Sequence, residues 1–95
     1  MASITVLIPT LLQRYTAGRR EVILQQGEAG DVAAVLDRLS GLHPLLEGRI
    51  RDETGELRRY VNIYVDGEDV RRLDRLGTPI PAGATIMIMQ SVAGG

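Results

Sequence analysis

The stretch Tyr60-Val61-Asn62-Ile63-Tyr64-Val65-Asp66-Gly67 decides the fold more than any other part of the sequence. β-Branched apolar residues alternate in it with polar or aromatic ones, which is the period of a strand with one buried face. Val61, Ile63 and Val65 are therefore expected to face a core, and the residues between them the opposite side. We expect the strand to begin at Leu57, and the closing Asp-Gly pair suits a tight turn with positive φ.

Three further segments alternate in the same way and predict strands over residues 3–8, 21–25 and 84–90. The first two would form an opening hairpin through a polar connection, and a short strand or turn around Val70 precedes the last. With one helix between the second and third strands, this order predicts an α+β fold, a mixed sheet packed on one main helix. The first and last strands should lie side by side at its centre, in a single domain over residues 1–91.

The period of apolar residues changes after Asp31, where they recur at i, i+3, i+4 and i+7 and predict an amphipathic helix. The residues of this stripe are Val32, Val35, Leu36 and Leu39. Asp31 or Gly30 is the expected N-cap. Gly41 and Pro44 are expected to interrupt the helix. The apolar residues beyond would continue the core through a looser connection or a short second helix, and they are Leu42, Leu45, Leu46 and Ile50.

The last strand also predicts an exposed apolar surface. If Ile86 and Ile88 face the helix, the methionines that follow each of them face the other side of the sheet, together with Thr5. Methionine adapts to irregular partner surfaces, and contiguous exposed apolar area often marks an interface. The opposite register would bury the methionines. We therefore predict a docking patch on the outer face, made of Leu7, Tyr64, Met87 and Met89.

Composition excludes several functions. The 95 residues carry a net charge of −1, which provides no basic face for nucleic acid or an anionic membrane. No cysteine is present, so thiol nucleophiles, disulfides and thiolate metal sites are excluded. All 11 basic residues are arginine, so side-chain isopeptide chains of this protein on itself cannot form. The pairs Arg58-Arg59 and Arg71-Arg72 are expected to be a solvated rim.

No catalytic or metal site is predicted, and the chain is not expected to be an enzyme. His43 has no second ligand or catalytic partner nearby, and no group of carboxylates, serines or histidines has the spacing of an active site. The opening apolar segment stops at Pro9, which is too short for a signal peptide or a membrane span. A cytoplasmic location is therefore expected.

The segment Val92-Ala93-Gly94-Gly95 is expected to be a flexible tail that ends in a diglycine. Glycine has no Cβ, so Gly94 and Gly95 can extend into a narrow channel of another protein. A carboxylate is a poor acyl donor, and the terminal one would need activation as an acyl-adenylate formed from ATP by a partner enzyme. The alternative is that the two glycines are an incidental frayed end or an expression remnant.

The stretch Tyr60–Arg71 and the ending Ser91–Gly95 together identify a resemblance. The chain resembles the prokaryotic ubiquitin-like sulfur carriers of the MoaD/ThiS group, and within it the actinobacterial carriers of cysteine biosynthesis. This resemblance implies a β-grasp (ubiquitin-like) fold and no cofactor bound by the carrier itself. It implies that an E1-like adenylating sulfurtransferase uses ATP to activate Gly95 and that a sulfur donor then leaves a thiocarboxylate there. Val92, Ala93 and Gly94 would be the tail recognised by that enzyme.

The same resemblance implies further partners. In cysteine biosynthesis, the thiocarboxylate attacks an aminoacrylate held on a PLP-dependent cysteine synthase, and a metalloprotease then releases cysteine. Four alternatives stay open: a small subunit for molybdopterin synthesis, a carrier for thiosugar or other secondary-metabolite pathways, a ubiquitin-like modifier of lysines on other proteins, and an interaction module whose diglycine is incidental.

Overall fold

A computed structural model of the protein describes residues 3–25 and 30–91. Its strands are β1 (Ser3–Leu7), β2 (Glu21–Gln25), β3 (Val61–Val65), β4 (Glu68–Asp69) and β5 (Thr85–Gln90). Its helices are α1 (Val32–Leu42) and the single turn α2 (Glu47–Ile50). Short 3-10 segments cover Thr10–Thr16, Pro44–Leu46, Val70–Arg72 and Arg75–Gly77.

The five strands form one mixed sheet in the order β2-β1-β5-β3-β4. β1 and β5 run parallel, whereas the other neighbours are antiparallel. The expectation that the first and last strands lie side by side is confirmed, with β1 between β2 and β5. β1 and β2 pair from Ser3 opposite Gln25 to Leu7 opposite Glu21, so the predicted opening hairpin is also confirmed.

The core lies between one face of the sheet and α1. The whole predicted helical stripe is buried, as are the predicted inward residues of the strands, including Val61 and Ile63. Asp31 is the N-cap, because its Oδ1 accepts a hydrogen bond from the Ala34 N–H at 2.9 Å. The prediction that Gly41 interrupts the helix is wrong, since α1 continues through it to Leu42. One glycine in the last turn costs a helix only about 1 kcal/mol, which packing of the stripe offsets.

Two of the four leucine and isoleucine residues predicted to continue the core do not do so. Leu46 and Ile50 are buried, whereas Leu42 is 59% exposed and Leu45 is 76% exposed. The segment Pro44–Leu46 is a 3-10 turn with three residues per turn, so neighbouring leucines point in different directions. Only Leu46 of the adjacent pair can reach the core.

The connection between β1 and β2 is more ordered than the predicted polar stretch. Thr10–Thr16 is a 3-10 helix in which Leu12 and Thr16 are buried. The Thr16 hydroxyl donates to the backbone carbonyl of Gln13 at 3.2 Å, and its oxygen also lies 3.0 Å from the carbonyl oxygen of Arg19. This segment therefore closes one end of the core.

β3 is shorter than predicted, since it begins at Val61 rather than at Leu57. Leu57 instead forms an isolated bridge with Arg51, and a turn follows it. The turn after β3 has positive φ at both central residues, 49° at Asp66 and 87° at Gly67, as the Asp-Gly pair predicts. None of the helices in the described part of the chain is long and apolar enough to cross a membrane.

Candidate functional site

A hydrogen bond just beyond β5 fixes the position of the residue before the predicted tail. The Ser91 N–H donates to the carbonyl of Tyr60 at 2.9 Å, one residue after β5 ends at Gln90. The predicted tail residues Val92, Ala93, Gly94 and Gly95 lie outside the described residues.

The predicted docking patch forms one contiguous surface on the face of the sheet opposite α1. Leu7 and Tyr64 are both register partners of Met87, one on each side, so the three side chains form a single row across β1, β5 and β3. Met89 lies two residues further along β5, opposite Asn62. The structure thus brings all four predicted residues together.

The exposure of these side chains confirms the register on which the patch depends. Ile86 and Ile88 are buried against the helix side, while Met87 is 39% exposed and Met89 is 46% exposed. Leu7 and Tyr64 are half-buried beside them. Methionine side chains carry no net charge and adapt to irregular surfaces, so this area offers apolar contact close to Ser91.

Ile23 is a further exposed apolar residue on this face that the predicted patch did not include. It lies opposite Thr5 on β2 and is 49% exposed. The sequence contained the signal, because Val22 and Leu24 point inward and Ile23 must then point outward. Its position extends the apolar surface from the centre of the sheet to the β2 edge.

Arg71 holds the turn to which Ser91 is bonded. Its Nη2 donates to the carbonyls of Arg58 at 3.0 Å and Val61 at 2.7 Å, and its Nε donates to Asn62 Oδ1 at 2.6 Å. The two carbonyls flank Tyr60, whose own carbonyl accepts from Ser91. The expectation that Arg71 belongs to a solvated rim is therefore wrong, because this side chain is half-buried and used as a structural donor.

Among the described residues, the ionisable groups with shifted pKa values lie away from this face, in and around the connection between α2 and β3. The pKa of Arg51 is raised, mainly by its hydrogen bonds to Glu47, and also by Asp37. The pKa of Asp52 is lowered because its carboxylate accepts hydrogen bonds from the hydroxyl and the N–H of Thr54 and from the N–H of Glu56. Among the described residues no group of three metal-binding side chains converges.

Comparison with known proteins identifies the family. The sequence model of the ThiS family matches residues 6–95. The chain belongs to the ThiS family. It is 38% identical to the sulfur carrier protein CysO of Mycobacterium tuberculosis over 96 residues, which cover 98% of this chain and 99% of CysO. It is also 34% identical to small archaeal modifier protein 1 of Haloferax volcanii over 79 residues, covering 83% of this chain and 86% of that protein.

Solved structures agree with this assignment. The chain matches a structure described as the BexX/CysO complex of Amycolatopsis orientalis with a TM-score of 0.84 and 34% identity, covering 97% of this chain and 99% of that one. It matches CysO of M. tuberculosis with a TM-score of 0.82 and 35% identity, over 94% of this chain and 99% of that one. These matches confirm the β-grasp, ubiquitin-like fold. The protein is a sulfur carrier of the ThiS/MoaD type, a small carrier rather than an enzyme.

Proposed function

We propose that this protein carries sulfur as a thiocarboxylate on the terminal carbonyl of Gly95, and that the sulfur is used for cysteine biosynthesis. The observation that carries the proposal is the likeness to CysO, which spans 98% of the chain at 38% identity. The family match also extends through Gly94 and Gly95. The chain has no cysteine, so it has no thiol of its own to hold sulfur.

The proposed chemistry has two steps. The Gly95 carboxylate attacks the α-phosphorus of ATP on an E1-like activating enzyme, which releases pyrophosphate and leaves an acyl-adenylate. A sulfur donor then supplies a sulfur nucleophile that displaces AMP and leaves the thiocarboxylate. Gly94 and Gly95 present no Cβ to the channel that holds them, so the reacting carbonyl can approach ATP closely. Because this step consumes ATP, we place the protein in the cytoplasm.

We further propose that the activating enzyme docks on Leu7, Tyr64, Met87 and Met89. Residues 92–95 can extend at most about 14 Å from Ser91, at 3.3–3.6 Å per residue. The enzyme must therefore contact the domain near the end of β5 in order to reach Gly95. Met89 lies two residues before Ser91, so the patch begins at the base of the tail. Val92, Ala93 and Gly94 would occupy the channel between the patch and the active site.

The acceptor in this proposal is the aminoacrylate on a PLP-dependent cysteine synthase. The thiocarboxylate sulfur attacks the β-carbon of the aminoacrylate, the resulting thioester rearranges to an amide, and a metalloprotease hydrolyses the amide to free cysteine and restore Gly95. Molybdopterin synthesis and thiosugar or other secondary-metabolite synthesis are the alternative acceptor pathways.

Intact-mass measurement tests the sulfur step. The protein is incubated with an E1-like enzyme from the same organism, ATP and sulfide, and a variant lacking Gly94 and Gly95 is the control. The expected result is a mass gain equal to replacing one oxygen by one sulfur, absent from the control. If the enzyme is active on another carrier and the mass of this one does not change, the proposal fails. Adding the cysteine synthase and its aminoacrylate-forming substrate should then give a second, cysteine-sized adduct.

Similarity to small archaeal modifier protein 1 supports a second candidate, conjugation of the activated Gly95 to lysines of other proteins. The activation step is the same, so the test is the fate of the activated carrier. Tryptic digests of cell lysate should contain target lysines that carry residues from this tail if the protein is a modifier. Their absence from cells that form the thiocarboxylate would leave sulfur transfer as the function.

A further inference from the structure

The outer edge of β2 pairs with no other described strand and is a second candidate binding surface, which adjoins the outer-face patch at Leu7. β2 lies at one end of the sheet order, and its five residues make it the longer of the two edges, since β4 at the other end has two. A long edge strand presents a row of backbone groups to which another extended segment can pair.

Two hydrogen bonds fix which backbone groups of β2 point outward. The Ile8 N–H donates to the carbonyl of Arg20 at 2.8 Å, so the Ile8–Arg20 pair is hydrogen-bonded across the hairpin. The Thr5 N–H donates to Ala84 at 3.2 Å and therefore points away from β2. Because antiparallel pairs alternate, the N–H and C=O groups of Glu21 and Ile23 point off the free edge.

Arg38 covers only the far end of this edge. Its Nη2 donates to the carbonyl of Gln25, which belongs to the same outward set. The outward backbone N–H and C=O groups of Glu21 and Ile23 form no backbone hydrogen bond with another described residue. Within residues 3–25 and 30–91, two donors and two acceptors of the first three residues of β2 therefore have no partner.

Two clefts flank this open part of the strand, one on each side of the sheet. The cleft on the helix side has a volume of about 480 Å³ and includes Val22, Leu42 and His43. The cleft on the outer side has a volume of about 530 Å³ and includes Leu7. Arg19 and Glu21 line both clefts, so the backbone edge runs between them. Alternate side chains of an added strand would enter one cleft and then the other.

The charge at the start of the edge favours an acidic partner. Arg19 and Arg20 are both exposed. Within residues 3–25 and 30–91 the ion pairs are those of Arg51 with Glu47 and Asp37, so neither arginine is paired there. An antiparallel strand would end beside these two guanidinium groups, because it runs opposite to β2. Leu42, which is 59% exposed, would be covered by an apolar side chain of the same segment.

We propose that the edge of β2 binds an extended segment of a partner protein as an added antiparallel strand. The segment has apolar residues directed toward Val22 and Leu42, and acidic residues at its C-terminal end beside Arg19 and Arg20. Antiparallel pairing would give two hydrogen bonds each to Glu21 and Ile23. This surface adjoins the docking patch at Leu7, which lines its outer cleft. The pairing itself uses backbone groups of β2, so it does not depend on the sulfur chemistry of the tail.

A second copy of the chain fits the edge less well. Two β2 strands paired about Ile23 would place Glu21 of each copy opposite Gln25 of the other, whose carbonyl already accepts from Arg38. Such a pair places Arg20 beyond the Gln25 end of the other copy's β2, so no carboxylate of that strand lies opposite it. An acidic peptide satisfies both the backbone groups and the arginines.

The test is NMR titration of the full-length ¹⁵N-labelled protein with a synthetic peptide. The probe alternates valine and threonine over four residues and ends in two aspartates, and the control peptide ends in two lysines. Amide signals of Glu21, Ile23, Leu42 and His43 should shift with the acidic probe, and the amides of Glu21 and Ile23 should become protected from hydrogen exchange. The lysine peptide should bind about tenfold more weakly or worse, with the difference reduced by added salt.

Two variants of one position separate backbone pairing from side-chain contact. Ile23→Pro removes an outward N–H without breaking the ladder to β1, and should weaken probe binding about five- to tenfold. Ile23→Thr keeps that N–H and should retain most of the affinity. Equal binding by the two variants overturns the proposal, as does an absence of shifts at millimolar probe or shifts confined to Met87 and Met89. Concentration-dependent shifts at Glu21 and Ile23 without peptide would assign the edge to a second copy instead.

Discussion

Replacing both exposed methionines of β5 by threonine should weaken docking of the activating enzyme while leaving the fold intact. Met87 and Met89 are on the outer face, whereas the residues of β5 that hold the core are Ile86 and Ile88. Threonine has high strand propensity, so Met87→Thr with Met89→Thr changes the apolar surface rather than the strand. The variant therefore tests the contribution of the patch to docking without changing the stability of the sheet.

The size of the effect follows from the area that docking can still bury. Full burial of a methionine side chain stabilises by about 1.5–3 kcal/mol. Met87 and Met89 are 39% and 46% exposed, so docking can bury less than half of each side chain and gain less than half of that free energy for each. Because threonine retains some apolar area, the double variant should lose roughly 1–2 kcal/mol of docking free energy, or about five- to thirtyfold in KM. kcat should change little, since docking is made equally in the ground and transition states.

The assay is the initial rate of adenylation, followed by ATP–pyrophosphate exchange over a range of carrier concentrations. Leu45→Ser is the matched control, because it removes an exposed apolar side chain, 76% exposed, from the turn after α1. Its kcat/KM should equal that of the unchanged protein. If the double methionine variant also keeps its KM while urea denaturation shows it folded, the outer face is not the docking surface.

Two other expectations follow from the contacts of Arg71 and Asp52, and a third from the proposed role of Gly95. Arg71→Gln removes the donor of three hydrogen bonds and should lower the free energy of unfolding by roughly 2–3 kcal/mol in urea denaturation, whereas Arg72→Gln should change it little. Gly95→Ala should abolish the sulfur-for-oxygen mass gain without changing the denaturation midpoint, and a mass gain at the normal rate would argue against a narrow channel. The folded-state pKa of Asp52 is lowered, so its stabilisation is present above the ordinary value of 3.8 and is lost as pH falls through the folded pKa. The stability difference between the protein and Asp52→Ala should accordingly disappear in acid, and a difference that persists there would refute the assigned cause.

The spacing of apolar residues along the sequence alone predicts much of this fold. Alternation over residues 61–65 and 84–90 gave the correct inward faces, and the stripe after Asp31 gave the helix with its N-cap. The same alternation placed Met87 and Met89 outside, because a side chain next to a buried one in a strand must point to the opposite face. The patch was predictable for that reason, although its docking role stays a prediction.

Features that depend on contacts between distant residues could not be predicted from the spacing of apolar residues. Leu45 and Leu46 have the same chemistry, and only the 3-10 geometry after Pro44 decides which one is buried. Arg71 has no sequence signal for its role, because two of its acceptors are backbone carbonyls at sequence separations of 13 and 10 residues. The Thr10–Thr16 segment likewise follows neither a strand nor an α-helical period. Short helical turns take their orientation from the core they close.

The parallel pairing of β1 with β5 determines how the domain would respond to mechanical force. The pairs run from Thr5 opposite Thr85 to Leu7 opposite Met87. Opposite forces applied through Ser3 and through Gln90 act along these two strands in opposing directions, so their mutual hydrogen bonds are loaded together in shear. If the protein is pulled by its tail while its first strand is held, the hydrogen bonds between β1 and β5 must break at nearly the same time. Its resistance to being pulled apart is then set by the rate of unfolding under load rather than by equilibrium stability.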